Sequence, residues 1–426
     1  MFNNIAITVF FHLNYTTSDH KQVEKKVGSM ENIKLQMNAY IDGLYDDLIG
    51  MSDAIFDHPE TGNQEYFASK LLTDWLKAQG FTVELGLGSL DTAFRAVYEQ
   101  GEGGPSIGLL AEYDALKGIG HACGHHMQGP CLLGAAAAIK NAGIKDPFKL
   151  VVYGTPAEEG GRGKREMIQE GCFKDIDIAL MMHGSPTTTC DVRSMALREY
   201  EVIYTGKAAH AAINPDSGRS ALDALLLAFQ GVEFMREHVP EDTRMHYTVA
   251  DTYNIPANVI PDKAKGQFVL RSYNTFVLED VCKRFERILQ GAAMMTDTSV
   301  EIIPSALHPG KIPVLRLNQL LLENAAAIDA PQLSYEPRKK PGSTDLADVM
   351  MLMPGSCIRV AFVPVGTASH SQVFLDHGKA ESGHNAVIVG AKVLADSCYE
   401  LITNPELFQS IQEEYQLKKA EMQKQA

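Results

Sequence analysis

Between about residues 81 and 185, short apolar runs alternate with helix-patterned stretches, and this alternation limits the fold more than any other feature of the chain. "FTVELGL", "TAFRAVYEQ", "SIGLLAEYDAL", "FKLVVYGTPAEEGG" and "IDIALMMHG" each read as a strand, most of them running out into a polar loop. Among them lie "GPCLLGAAAAIKNAG", a helix of small residues closed by Gly143, and a short helix in "EMIQEGCF". Upstream, residues 31–58 and 62–80 carry helical spacing in Ile41, Leu44, Leu48, Met51 and Ile55, with Gly80 as a stop. The alternation predicts an α/β fold with a mixed, mostly parallel sheet flanked by helices. Such sheets bind ligands beyond the carboxyl ends of their strands.

After about residue 197 the pattern changes. Strands in "REYEVIYTG", "RMHYTVADTYN", "KGQFVLRSYN" and "SVEIIPSA" are interleaved with two long helices, in the order β-α-β-β-α-β of a ferredoxin-like unit. At 426 residues the chain is long enough for two domains. We therefore expect a first domain built from residues 31–196 and 307–426, with an α+β insertion at 197–306. Residues 1–29 stand apart, either as a loose extension or as a translation artefact ahead of Met30. The charged last stretch, "EEYQLKKAEMQKQA", is expected to fray.

The charge balance, 38 basic against 53 acidic residues, leaves −15 and argues against a nucleic-acid partner. Seven cysteines without a close-spaced framework argue against a disulfide-stapled secreted chain and for a reducing cytoplasm. No apolar run approaches the ~20 residues of a membrane helix. The short run from Ile5 to Leu13 lacks a preceding Lys or Arg and makes a poor signal peptide.

Four polar clusters sit where strands end. "HACGHH" holds Cys123 and His125 two apart, just before a helix; thiolate and imidazole suit zinc, manganese or cobalt. Ordinary hydrogen bonds satisfy many such loops equally well. "GTPAEEGG" carries Glu158 and Glu159, neighbours that point apart, so that one can bind metal while the other faces substrate; the plainer reading is a solvated loop. His183 ends "ALMMHG", and His370 in "ASHSQVF" follows the strand "IRVAFVPVG". Each, taken singly, is more simply a satisfied strand-end histidine. Together the topology would bring Cys123, His125, Glu159, His183 and His370 to one rim, enough donors for two ions sharing a bridge. Two-metal sites activate water and hold the tetrahedral intermediate of amide hydrolysis. They need a general base, and Glu158 is the acid left over.

"EYDALKGIGHACGHHMQG", "GTPAEEGG", "GKAAHAA", "PANVIPD" and "GSTDLADV" occur in order across roughly residues 35–405. In this the chain resembles the aminoacylase and carboxypeptidase-G family of two-metal peptidases. More narrowly it resembles the amidohydrolase branch, which includes aminobenzoyl-glutamate and auxin-conjugate hydrolases. The resemblance implies a zinc-exopeptidase-like sheet, with the insertion serving as lid and homodimer surface. It implies two divalent metal ions, zinc, manganese or cobalt, and hydrolysis of an amide bond next to a free carboxylate in small N-acyl amino acids or dipeptide-like molecules. Cys123 would replace the bridging carboxylate of other branches, and His125, Glu159, His183 and His370 would complete the metal shell. Glu158 would be the base, with Glu112 and Asp114 orienting the ligands. His210 would reach an active site, that of the partner subunit, and donate to the oxyanion, supported by Asn258. Arg271 would grip the substrate carboxylate with its planar fork.

The branch commonly has an acid where this chain has His126. His384 rivals His370 as the late ligand, although it reads as the start of the helix "NAVIVGAKVLADSCYELI". His121 reads as shaping its loop, and Ser343, Thr344 and Asp345 as a turn lining the pocket or a helix cap. Two other readings compete: a binding protein that has lost catalysis, and a hydrolase using Cys123 as nucleophile, activated at a helix N-terminus.

Overall fold

The computed structural model describes residues 17–160, 163–253, 255–338 and 342–426. In chain order, helices α1 (Thr17–Gly43), α2 (Tyr45–Asp57) and α3 (Tyr66–Ala78) lead into strands β1 (Thr82–Leu87), β2 (Leu90–Gln100) and β3 (Ser106–Ala111). Helix α4 (Gln128–Asn141), strand β4 (Phe148–Gly154), helix α5 (Gly163–Gln169) and strands β5 (Ile178–Ser185) and β6 (Thr189–Cys190) follow. The middle of the chain holds β7 (Ala196–Thr205), β8 (Ala209–His210), α6 (Ala221–Arg236), β9 (Arg244–Asp251), β10 (Val259–Ile260), β11 (Lys263–Ser272), α7 (Thr275–Thr296) and β12 (Ser299–Pro304). The last part holds α8 (Leu315–Ala327), α9 (Leu346–Met350), β13 (Gly355–Ala361), α10 (Gln372–Gly378), α11 (Glu381–Thr403) and α12 (Pro405–Lys424).

The larger sheet has the order β1-β2-β4-β3-β5-β13-β6. Its four central strands β4, β3, β5 and β13 are mutually parallel, and β1, β2 and β6 run antiparallel to their neighbours. The sheet is therefore mixed, with helices on both faces, as the alternation predicts. Leu109, Leu150, Leu180, Ile358 and Val360 face one core with α4 and α11, whereas Leu110, Val151, Met181 and Cys357 face the other, beside α9. This alternation along each strand is the period of two that places neighbouring residues on opposite faces.

A second sheet, β12-β7-β11-β9, is wholly antiparallel. Its buried side, with Tyr200, Tyr204, Phe268 and Leu270, packs with Phe229 of α6 and with Phe285 and Leu289 of α7. The strand order and the β-α-β-β-α-β connection are those of the ferredoxin-like unit expected from sequence. A separate two-stranded ribbon pairs β8 with β10.

Three local expectations need correcting. The single helix expected over 31–58 breaks at Leu44, whose φ of −93° and ψ of 5° leave the helical region just after Gly43. The break lets α1 lie on α11 and α4 while α2 lies on α4. Helix α1 also starts at Thr17, so residues 17–29 are part of a helix and not a loose extension; residues 1–16 lie outside the described residues. The end of the chain does not fray: in α12 Ile411, Tyr415 and Met422 are buried, and Asn274 Nδ2 donates to the Met422 carbonyl at 2.8 Å. Among the described residues no helix is long and apolar enough to cross a membrane.

Candidate metal centre

The loops that leave β3, β4, β5 and β13 at their carboxyl ends all meet over the middle of the larger sheet. After β3 the chain must turn sharply into α4. Gly124 takes φ +86°, a conformation costly for a side-chain-bearing residue, and so throws Cys123 and His125 onto the same side of the turn. After β4, Ala157 adopts φ +59°, held there by its N–H donating to Glu65 Oε1 at 2.9 Å. This strained residue immediately precedes Glu158 and Glu159. Gly163 then lies so close under the loop that a Cβ there would meet the Pro156 carbonyl oxygen at 1.9 Å. His370, after β13, is another left-handed residue, at φ +61°.

These turns bring the five expected donors together in two overlapping groups. Cys123, His125 and His183 have ligand atoms within 4.8 Å of one another, and so do Cys123, Glu159 and His370. Cys123 belongs to both, with its Sγ 3.6 Å from His183 Nε2. The histidine tautomers follow from their partners. His125 Nδ1 faces two acceptors, the Asp114 carbonyl at 3.1 Å and Asp114 Oδ1 at 3.0 Å, so it carries the proton. His183 Nδ1 likewise donates to the Gly184 carbonyl at 2.8 Å. Both rings therefore turn Nε2, the nitrogen left for a metal, toward the cluster. His125 Nε2 and Glu159 Oε1 are buried without a hydrogen-bond partner, although Glu112 and His370 lie 3.4 and 3.3 Å from them. Buried polar atoms are rarely left so. Two orphaned acceptors beside a thiol and two further imidazoles fit divalent cations well.

Asp114 links the halves, since its other oxygen accepts the Glu159 N–H at 2.9 Å. Glu112 Oε2 accepts from Gln128 Nε2 at 2.7 Å, and Glu112 Oε1 accepts from Lys164 at 2.5 Å. Lys164, wholly buried, also donates to Asp345 Oδ1 at 2.6 Å. A third group, His125, Glu158 and Glu159, puts Glu158 beside the donors; Glu112, Glu158 and Asp345 form a fourth, but the Lys164 ammonium bonds two of its three members and supplies the cation there.

Electrostatics sort these groups. Burial, then the charges of Glu112 and Asp345, push Glu158 up to about 8. Burial pushes the Cys123 thiol up to about 12, which is the reverse of an activated nucleophile and counts against the cysteine-hydrolase reading. Burial opposes the charge on His125, but Cys123, Asp114 and Glu112 together hold it well above its ordinary range. Burial, and next Arg359, hold His183 well below.

The other expected residues lie elsewhere. His384 Nε2 bonds Asp53 at 2.9 Å, away from the donors. His126 is buried, with Nε2 facing the Gly378 carbonyl at 3.1 Å and its ring against Phe56. His121 packs beside it with neither ring nitrogen partnered. His210 is exposed on β8, opposite Val259. The Asn258 carbonyl accepts the Ala211 N–H at 2.9 Å on the same ribbon. Arg271 is on β11, between β7 and β9, and among the described residues its side chain has no hydrogen bond or ion pair. Among the described residues nothing joins these three to the donor cluster. Asp345 is a partner of Lys164 rather than a pocket-lining turn. Sequence reasoning missed Lys164 and Glu65 altogether; a charged residue in a polar loop carries no sign of burial.

Comparison with known proteins agrees with this geometry. Residues 108–396 match the model of peptidase family M20/M25/M40. The chain is 31% identical to human Xaa-Arg dipeptidase, covering 92% of this chain and 94% of that one. It is 29% identical to one of the subunits of p-aminobenzoyl-glutamate hydrolase from Escherichia coli (strain K12), covering 86% and 91%. In fold it is similar to a Bacillus subtilis protein described as a dinuclear metal binding peptidase from the M20 family, with a TM-score of 0.65, 18% identity, and coverage of 85% and 99%. A converging set of metal-type donors on this sheet, and a family match across two thirds of the sequence, lead to one conclusion: the chain belongs to peptidase family M20/M25/M40 and is a hydrolase of the metallopeptidase and amidohydrolase kind.

Proposed function

We propose that the protein hydrolyses an amide bond next to a free carboxylate in small N-acyl amino acids or dipeptides. Two divalent ions would be held by Cys123, His125, Glu159, His183 and His370. The observation that carries this reading is the membership of Cys123 in both donor groups, which makes its sulfur a natural bridge. Ions bound there would acidify a water molecule and polarise the amide carbonyl. Glu158, half-buried at the edge of the donors and raised to about 8, would accept the water proton and return it to the leaving nitrogen. The relatives' names point to an acyl-glutamate in one case and a dipeptide ending in arginine in the other, so they agree on the bond and differ on the side chain beside it.

On this reading Arg271 grips the free carboxylate, and His210, with Asn258, stabilises the oxyanion in a partner subunit's site. Support comes from the exposure of His210 and, among the described residues, its lack of any link to the donors. The four-stranded unit would then be both lid and dimer surface, and Phe234, Met294 and Met295, at 72, 82 and 69% exposure, are apolar groups that a homodimer would cover. Seven free cysteines suit the reducing cytoplasm.

Elemental analysis of the purified protein, with hydrolysis of N-acyl amino acids and dipeptides after chelation and metal return, tests the reading. About two ions per chain and metal-restored turnover are expected. Glu158→Gln should keep the metals and lose turnover by about 100-fold or more. Turnover that survives this change would remove Glu158 as the base.

A further inference from the structure

Asp191, just after β6, is buried against three cations. Arg338 bonds both its oxygens at 2.7 Å, Arg359 Nε donates to Oδ2 at 2.7 Å, and Lys311 Nζ lies 3.5 Å from the same oxygen. Arg338 keeps 27% of its side chain in solvent, so the buried balance is Arg359 and Lys311 against Asp191, one positive charge in excess. Buried charge is normally matched, so that excess calls for an anion.

Arg359 shows where that anion would lie. It stands on β13 directly in register with His183 on the neighbouring parallel strand β5. The residues that flank it on β13, Ile358 and Val360, point to the opposite face, into the core. Arg359 and His183 therefore share the face on which the donors gather. Only Nε of Arg359 is used by Asp191. Among the described residues neither terminal nitrogen has a hydrogen-bond partner, and the side chain keeps 11% of its surface accessible. A guanidinium beside a site that collects divalent cations is repelled by them unless an anion lies between.

We infer that Arg359, anchored through Nε by Asp191, binds a second anionic group of the substrate, in addition to the free carboxylate next to the scissile amide. This rests on the hydrolase reading above and sharpens it. The preferred substrates are doubly anionic, and compounds with a cationic side chain are disfavoured. The second carboxylate belongs either to the side chain of the released amino acid or to the acyl group. A planar fork with free terminal nitrogens recognises either one by paired hydrogen bonds.

Calorimetry on the metal-loaded protein carrying Glu158→Gln separates binding from turnover. N-acetyl-glutamate against N-acetyl-glutamine reads the first source, and N-succinyl-alanine against its terminal amide reads the second. One of the two acids should bind at least ten-fold more tightly than its amide. Adding Arg359→Met should bring that ratio close to one, and Arg359→Lys, which keeps the charge beside Asp191, should retain part of it. Equal affinity within both pairs would overturn the inference, as would a preference that survives Arg359→Met. If wild-type protein hydrolyses none of the four compounds while the acid preference and its loss in Arg359→Met both hold, the hydrolase reading fails and the Arg359 assignment stands.

Discussion

Asp396 shows how far one side chain's surroundings can move its chemistry. It lies in α11 at 2% exposure, with one oxygen accepting from Asn38 Nδ2 at 3.3 Å and the other unpartnered. Burial raises its carboxyl to about 6, from an ordinary value of 3.8. The folded state thus holds this proton more tightly than the unfolded chain does. Its stabilisation is complete below about pH 4 and is lost as pH rises through 6, a difference of roughly 3 kcal/mol by pH 8. Asp396→Asn should therefore raise the urea midpoint at pH 8, with the gain shrinking toward pH 5; a lower midpoint at pH 8 would contradict the assignment. Single residues also mark what sequence could and could not reveal. The clustering of the five candidate donors was legible because each follows an apolar strand, so topology alone gathers them. Arg359 and Lys164 were not, because what defines them is a buried partner 168 or 181 positions away, Asp191 and Asp345 respectively.

The loop after β4 illustrates how one segment depends on another. Glu65, at the start of α3, accepts the Ala157 N–H through one oxygen and the Thr92 hydroxyl, at 2.8 Å, through the other; Tyr113 in turn donates to the Thr92 carbonyl at 2.6 Å. Glu65→Ala would leave the N–H of a left-handed residue unpaired, at a cost of about 1–3 kcal/mol. We expect that loss in chemical denaturation, and a fall in kcat larger than the change in metal content, because Glu158 and Glu159 hang from the loosened turn. The longer strands were readable, most clearly β3, β4, β5 and β13, whose apolar runs are dictated by burial on both faces, whereas the two-residue strands β6, β8 and β10 carry too short a pattern to be read. The break between α1 and α2 was not, since continuous helical spacing runs across Gly43 and only packing against α4 and α11 decides the turn.

At the level of the complete fold, α12 works as a strap. Ile411 and Tyr415 are buried against the larger core, and the Met422 carbonyl caps Asn274 at the start of α7 in the second sheet. Removing residues 405–426 should cost more than about 3 kcal/mol, from burial of Ile411 and Tyr415 alone. It should also open the chain to protease between the two sheets; an unchanged denaturation midpoint would show that the strap is idle.

The position of β13 has a consequence for how the protein is made. It lies inside the larger sheet, between β5 and the edge strand β6, yet it is synthesised only after the whole of the second sheet. Until then a nascent chain carries β5 with an open edge, a surface that invites pairing with other chains. Closing the gap requires contacts of very long sequence separation, which fold slowly. The last candidate donor, His370, emerges only after β13, so no growing intermediate carries all five. Its maturation is therefore a late, all-at-once event, and crowding by other nascent chains, more than low intrinsic stability, is the hazard this order of assembly creates.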